Sequence, residues 1–197
     1  IKTTPLFEIN SQRVCLQSVS FKERTFDNLV SSRKPFGLAT NFKKFNKGRE
    51  SDKDIKVYAN QQIGWIDDAS VILRNKEWVG EYKLYIPYAI GSGNMLEDRI
   101  RPIIGEPNSC STETYVVIGP FKSKEEAENV KSYVETKFFH FLMGLIKVTQ
   151  HATAKVYQFI PIQNFSKPWT DKELYKKYKL TDEEINYIEK SVRDMEG

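Results

Sequence analysis

Residues Glu113 to Gln163 read ETYVVIGPFKSKEEAENVKSYVETKFFHFLMGLIKVTQHATAKVYQFIPIQ. Tyr115-Val116-Val117-Ile118 is a β-branched and aromatic run closed by Gly119-Pro120, which predicts a buried strand. Ser123 with Glu126 makes an S-x-x-E capping box, offering a hydroxyl and a carboxylate to the unpaired N–H groups of a helix start. From there Ala127, Val130, Val134, Phe138, Phe141 and Leu145 recur at steps of three and four, one face of an α-helix. Between Phe138 and Ile146 the apolar residues spread around the axis, so the last turns should be covered on most sides. Val156-Tyr157-Gln158-Phe159-Ile160 alternates with period two and predicts a returning strand. A strand, a long helix sinking into a core and a second strand make a scaffold.

The rest of the chain is read against that scaffold. Its 197 residues, 40% hydrophobic and 13% aromatic, can fill one large core or two small ones. No apolar run approaches the ~20 residues a membrane span needs. Cys15 and Cys110 show no metal-ligand spacing and predict two reduced thiols in a cytoplasmic protein. The chain begins at Ile1 with no signal-peptide pattern, which predicts a piece of something longer. The formal charge of +4 is small, but it is unevenly placed. From Arg33 to Arg49, six cations (Arg33, Lys34, Lys43, Lys44, Lys47 and Arg49) meet no acid.

Outside the scaffold the elements are short. Val14-Cys15-Leu16 with Val19 predicts a strand, and Lys22 to Ser32 a short helix with Phe26, Leu29 and Val30 inward. Pro35 and Gly37 then break the pattern. Lys56-Val57-Tyr58-Ala59 and Gln62-Ile63-Gly64-Trp65-Ile66 predict two strands joined tightly at Asn60-Gln61. Asp67 to Arg74 is either a turn or a short helix. Glu81 to Pro87 predicts a strand followed by a glycine-rich loop, and 97–112 an irregular connection. Two further capping boxes, Thr170 with Glu173 and Thr181 with Glu184, start helices near the C-terminus. The fold class is α+β: short mixed strands around one long buried helix, with a C-terminal helical tail. The expected division is a body over 1–165 and a tail over 166–197, which packs on that body or on a neighbouring domain.

Several constellations carry possible chemistry. Lys and Arg neutralise phosphates and release counterions, the main source of sequence-independent DNA affinity. The interleaved Phe36, Phe42 and Phe45 either stack on bases or anchor the loop in the core. Gly91-Ser92-Gly93 allows a backbone to approach phosphate closely, or simply makes a turn. Lys147, Gln150 and His151 suit groove contacts, and equally suit a solvated loop. His140, inside the aromatic helix, reads as a hydrogen-bonded residue near the core. Asp68, Glu81 and Lys83 admit a Mg²⁺-dependent nuclease, in which carboxylates hold the metal and a lysine faces the attacking water. A third possibility is a protein-interaction domain that docks through its helical tail. No Ser-His-Asp order, metal motif or P-loop is present.

Resemblance adds to this. Trp78 through Glu81-Tyr82-Lys83-Leu84-Tyr85-Ile86-Pro87 to Gly91-Ser92-Gly93 resembles the K-V-hydrophobic-I-P…G-x-G segment of bacterial DNA specificity domains. Cys110-Ser111-Thr112-Glu113-Thr114-Tyr115 is similar to the strand that follows in them, and Glu125 to Phe141 to their next helix. Lys155-Val156-Tyr157 with Pro161, then Trp169 to Tyr178, resemble the C-terminal end of certain adenine-specific DNA methyltransferases of restriction–modification systems, and Ser32 to Leu38 resembles another segment of that family. The resemblance implies a target recognition domain that reads a short double-stranded DNA sequence and performs no chemistry alone. The family's catalytic motif, a polar residue before Pro-Pro and an aromatic, is absent. The resemblance places S-adenosylmethionine and adenine methylation in a separate catalytic domain of the same chain, with Mg²⁺ needed only where an endonuclease is fused. The DNA-binding residues expected on this basis are Arg33, Lys34, Lys43, Lys44, Lys47, Arg49, Gly91, Ser92, Gly93, Lys147, Gln150 and His151. No membrane partner is expected.

Overall fold

The computed structural model describes residues 7–9, 12–14, 25–89, 100–145 and 154–192. The fold is α+β. Strands β1 (Phe7–Ile9) and β2 (Gln12–Val14) form an antiparallel pair. The remaining strands make two three-stranded sheets. One has the order β4–β3–β7, with β3 at Ile55–Ala59, β4 at Gln62–Ile66 and β7 at Ser109–Ser111. The β3–β4 pair is the expected hairpin, with Gln61 in the left-handed region at φ 55°. The other sheet has the order β6–β5–β8, with β5 at Tyr82–Pro87, β6 at Ile103–Gly105 and β8 at Tyr115–Phe121.

Strands β5 and β8 are buried on both faces, which is why they read as continuous apolar runs rather than as alternating ones. Leu84, Ile86, Val116 and Ile118 join a large core with the helices. Tyr85 and Val117 join a second core with Phe36, Leu38 and the β3–β4 hairpin. Lys83 lies in β5 with its side chain fully buried. Its ammonium donates to the carbonyls of Trp78 (2.8 Å), Val79 (3.1 Å), Glu81 (2.7 Å) and Glu106 (3.3 Å). Burial brings that ammonium down to about 8. The chain does not stop at Gly119-Pro120, as its composition predicts. β8 runs through them as an irregularity opposite Tyr82–Leu84, with Gly119 at φ 130°. Likewise 97–112 is not a plain connection, since β6 and β7 form within it.

The long helix is two helices. α1 (Lys124–Val134) starts at Ser123, whose hydroxyl accepts from the Glu126 N–H. The reciprocal half of the predicted box shifts by one residue: the Glu126 carboxylate accepts from the Lys122 N–H at 3.2 Å. The chain leaves helical geometry at Thr136 (φ −75°, ψ 149°) and restarts as α2 (Lys137–Gly144). Two groups cap the restart. Thr136 Oγ1 accepts from the Phe139 N–H, and the Asp171 carboxylate accepts from the Lys137 and Phe138 N–H groups at 3.0 and 2.8 Å. Phe138, Phe139, His140 and Phe141 are all fully buried. Each buried phenylalanine contributes about 1.5–3 kcal/mol over an exposed one. The expected strand at Val156–Ile160 is instead a 3-10 turn, Ala154–Tyr157. Its apolar residues are needed on one compact side, where Val156, Tyr157 and Ile160 all enter the main core.

The tail packs back on the body. α3 (Asp171–Tyr178) and α4 (Asp182–Ser191) both open with complete capping boxes at Thr170–Glu173 and Thr181–Glu184. Leu174, Ile188 and Val192 are buried in the main core, and Tyr178 stacks on Phe138 at 5.1 Å. Gln163 joins the halves: its amide donates to Tyr133 Oη, Pro161 O and Tyr178 Oη, and its carbonyl accepts from Lys177. Near the N-terminus the predicted helix is a single 3-10 turn, Phe26–Leu29, with Phe26 fully buried. Of the strand expected at Val14–Leu16 and Val19, only Val14 lies within the described residues, at the end of β2. No helix among the described residues is long and apolar enough to cross a membrane.

The carboxylate that starts α2 is not local: it comes from Asp171, the first residue of α3. Replacing it with alanine leaves two helix-start N–H groups without their acceptor. Asp171→Ala should cost about 1–2 kcal/mol in urea denaturation, and Asp171→Asn, which keeps an amide oxygen, clearly less.

Candidate nucleic-acid interface

The basic segment is fixed along its length. Asn75 Nδ2 donates to Pro35 O at 2.8 Å, Leu73 N–H to Phe36 O at 3.1 Å and Glu113 N–H to Leu38 O at 2.9 Å. Gly37 sits at φ 80°, and a Cβ there would lie 2.7 Å from Leu73 Cβ. Phe36 is fully buried, and Phe42 and Phe45 are half-buried against the second core. Phe45 lies over Gly64, whose missing side chain makes room for the ring. The phenylalanines therefore anchor the segment. Beyond them Asn46 exchanges both backbone hydrogen bonds with Trp65 of β4, at 2.7 and 2.9 Å.

This anchoring sorts the six cations. Lys43, Lys44 and Lys47 are exposed and make no ion pair among the described residues. The other three are engaged. Arg33 Nε lies 3.1 Å and Lys34 Nζ 3.7 Å from the buried Glu113 carboxylate, and the Arg33 guanidinium also sits over the Tyr88 ring. Arg49 pairs with Asp52 at 3.0 Å and donates to the Ser51 and Asp52 carbonyls. Three of the six therefore already have a carboxylate partner, and for Arg33 and Lys34 a glutamate distant in sequence is a neighbour in space. Gly91, Ser92, Gly93, Lys147, Gln150 and His151 lie outside the described residues. His140 is buried in α2, and Cys110 is buried in β7, where burial pushes its thiol up to about 12.

Three residues not singled out from sequence complete the surface. The hairpin register sets Lys56 opposite Trp65, with Tyr58 two residues along the same face. The Lys56 ammonium lies 5.1 Å from the Tyr58 ring centre and 6.0 Å from that of Trp65, and the Arg49 guanidinium 5.5 Å from Trp65. Around them is a recess of about 160 Å³, closed by Asp54 and the turn Glu106–Ser109. The signal was available: a two-residue joint at Asn60-Gln61 forces the Lys56–Trp65 pairing.

The three residues of the nuclease alternative each have structural partners. Lys83 is buried under four carbonyls, Glu81 pairs with Lys122 at 2.7 Å, and Asp68 caps its own turn by accepting from the Ser70 N–H and hydroxyl. Among the described residues no cluster of three or more His, Cys, Asp or Glu side chains could hold a metal ion. Comparison with family models, with curated proteins and with solved structures finds no match to this chain.

Burial alone would raise the Glu113 carboxyl. The Thr40 N–H, Lys34, Arg33 and the Thr40 hydroxyl outweigh it and hold the group below its ordinary value of 4.5. The folded chain therefore takes up this proton less readily than the unfolded chain. The stabilisation is present above the ordinary carboxylate range and is lost as pH falls through the folded value. The urea midpoint should drop between about pH 5 and about pH 3, and Glu113→Gln should flatten part of that drop.

Proposed function

We propose that this chain binds double-stranded DNA as the target recognition domain of a restriction–modification adenine methyltransferase. One observation carries the DNA contact: Lys43, Lys44 and Lys47 project from a segment pinned to the edge of β4, free of carboxylates among the described residues. Cations on an ordered backbone can meet the regular spacing of phosphates without first losing loop entropy. Lys56 and Arg49, gathered around Trp65, extend the positive strip along the same hairpin. The methyltransferase assignment rests on the resemblance of Trp78–Pro87, Cys110–Tyr115 and Trp169–Tyr178 to that family.

In this reading the chain positions the duplex in the bacterial cytoplasm. S-Adenosylmethionine binding and methyl transfer to adenine belong to a catalytic domain elsewhere in the same polypeptide. A fused endonuclease would bring its own Mg²⁺ site. The helical tail spends its apolar face internally on α2, which favours a rigid DNA-binding body over a tail that docks on a partner.

The test is a salt titration of duplex binding. Each lost phosphate contact lowers the slope of log K against log salt by about 0.9, so Lys43→Glu, Lys44→Glu and Lys47→Glu together should lower it by about 2–3. Affinity at low salt should fall by roughly a hundredfold or more, for every duplex sequence alike. An unchanged slope removes the segment from the interface.

A further inference from the structure

The recess beside Trp65 is separate from the lysine strip and is built differently. Its walls are the half-buried Trp65 ring, the Tyr58 ring, Lys56 and Arg49, and its far side is Asp54 with Glu106, Asn108 and Ser109. Among the described residues no hydrogen bond engages the Trp65 indole N–H, the Lys56 ammonium, the Tyr58 hydroxyl or the Asn108 amide. Four residues whose side-chain polar groups make no hydrogen bond among the described residues therefore line one hollow. The shape is held from behind. Tyr85 Oη hydrogen-bonds to Ser109 Oγ at 3.0 Å, Ser109 Oγ donates to Glu106 O, and Lys83 Nζ donates to the same carbonyl at 3.3 Å. The Asn108 backbone sits in the left-handed region at φ 59°, and its carbonyl accepts from the Lys56 N–H at 2.8 Å.

Size and charge narrow the ligand. About 160 Å³ is well below the roughly 300–1,000 Å³ of cofactor and small-molecule pockets, and has room for one planar ring system. A lone phosphate is disfavoured because two acidic residues, Asp54 and Glu106, belong to the lining. One Asp54 oxygen already accepts from the Glu50 and Ser51 N–H groups, so Glu106 is the carboxylate that suits the exocyclic amines and ring N–H groups on a base edge, and Asn108 offers both a donor and an acceptor. A ring of this kind stacks on an indole or on a guanidinium plane, and both are present.

We propose that this recess takes a single unpaired nucleobase from the DNA that lies along the lysine strip. The inference rests on the DNA-binding reading and adds to it a second, base-sized contact. Trp65 and the Arg49 guanidinium beside it supply the stacking surfaces, Lys56 lies next to them, and Asn108 with Glu106 meets the base edge. The contact sits next to Asn46, the residue that ties the basic segment to β4, so one nucleotide can reach both surfaces.

The experiment measures binding of the full chain to two short duplexes, identical except that one carries a single bulged, unpaired adenine or thymine. The bulged duplex should bind on the order of tenfold more tightly, the scale of one base–aromatic stack. Trp65→Leu should erase that ratio, Trp65→Phe should keep most of it, and Lys56→Ala should reduce it. Should Trp65→Leu fail to fold, Trp65→Phe and Lys56→Ala decide. Equal affinity for the two duplexes, or a preference that survives in every variant, overturns the base pocket and leaves duplex binding standing. Binding of the bulged duplex alone supports the pocket and overturns the duplex reading. Binding of neither overturns both.

Discussion

One pair of backbone hydrogen bonds, between Asn46 and Trp65, governs what the basic segment presents. Without it, 42–49 is a lysine-rich loop whose charges average over many conformations. With it, the segment is held against the edge of β4, Phe45 fits over Gly64, and the lysines are left facing water. The same pairing covers part of a strand edge that would otherwise invite association with another chain. It also brings Arg49 and Lys56 to one indole ring. The backbone geometry of two residues thus sets the arrangement of five cations.

Charge runs along a sequence do not fix charge patterns in space, and Glu113 is the case in point. From Arg33 to Arg49 the chain shows no acid, yet the fold inserts the Glu113 carboxylate between Arg33 and Lys34, with Thr40 donating to it as well. The interaction ties the start of the basic segment to the turn that leads into β8. It therefore acts as a structural pin, and Lys43, Lys44 and Lys47 are the cations of the run without a carboxylate partner among the described residues. Lys83 shows the same logic from the other side. Its position on a strand beside Glu81 suggests chemistry, but its ammonium is consumed by four carbonyls, one of them that of Glu106 in the turn beneath the Trp65 recess.

Local signals were the reliable ones. The capping boxes at Thr170 and Thr181, the hairpin at Asn60-Gln61 and the strand Tyr82–Pro87 were all legible, because each depends on residues within a few positions of one another. The break between α1 and α2 was not. The step from Val134 to Phe138 keeps the helical spacing across it, and the carboxylate that caps the restart comes from Asp171, more than thirty positions away. The Val156–Ile160 segment alternated like a strand, but no sheet edge receives it, and it closes as a 3-10 turn against the main core. Of the candidate site, the three free lysines were readable as a charge run. The aromatic partner was not part of any charge run: the hairpin register places Trp65 opposite Lys56, and a backbone bridge ties it to Asn46.

The most direct measurement is amide and indole chemical-shift mapping of the ¹⁵N-labelled chain during titration with a short duplex at low salt. The account predicts that the largest shifts fall on Phe42 to Lys47 and on the Trp65 indole N–H, with α3 and α4 little changed. Shifts confined to the helical tail, or none anywhere at saturating duplex, would contradict it.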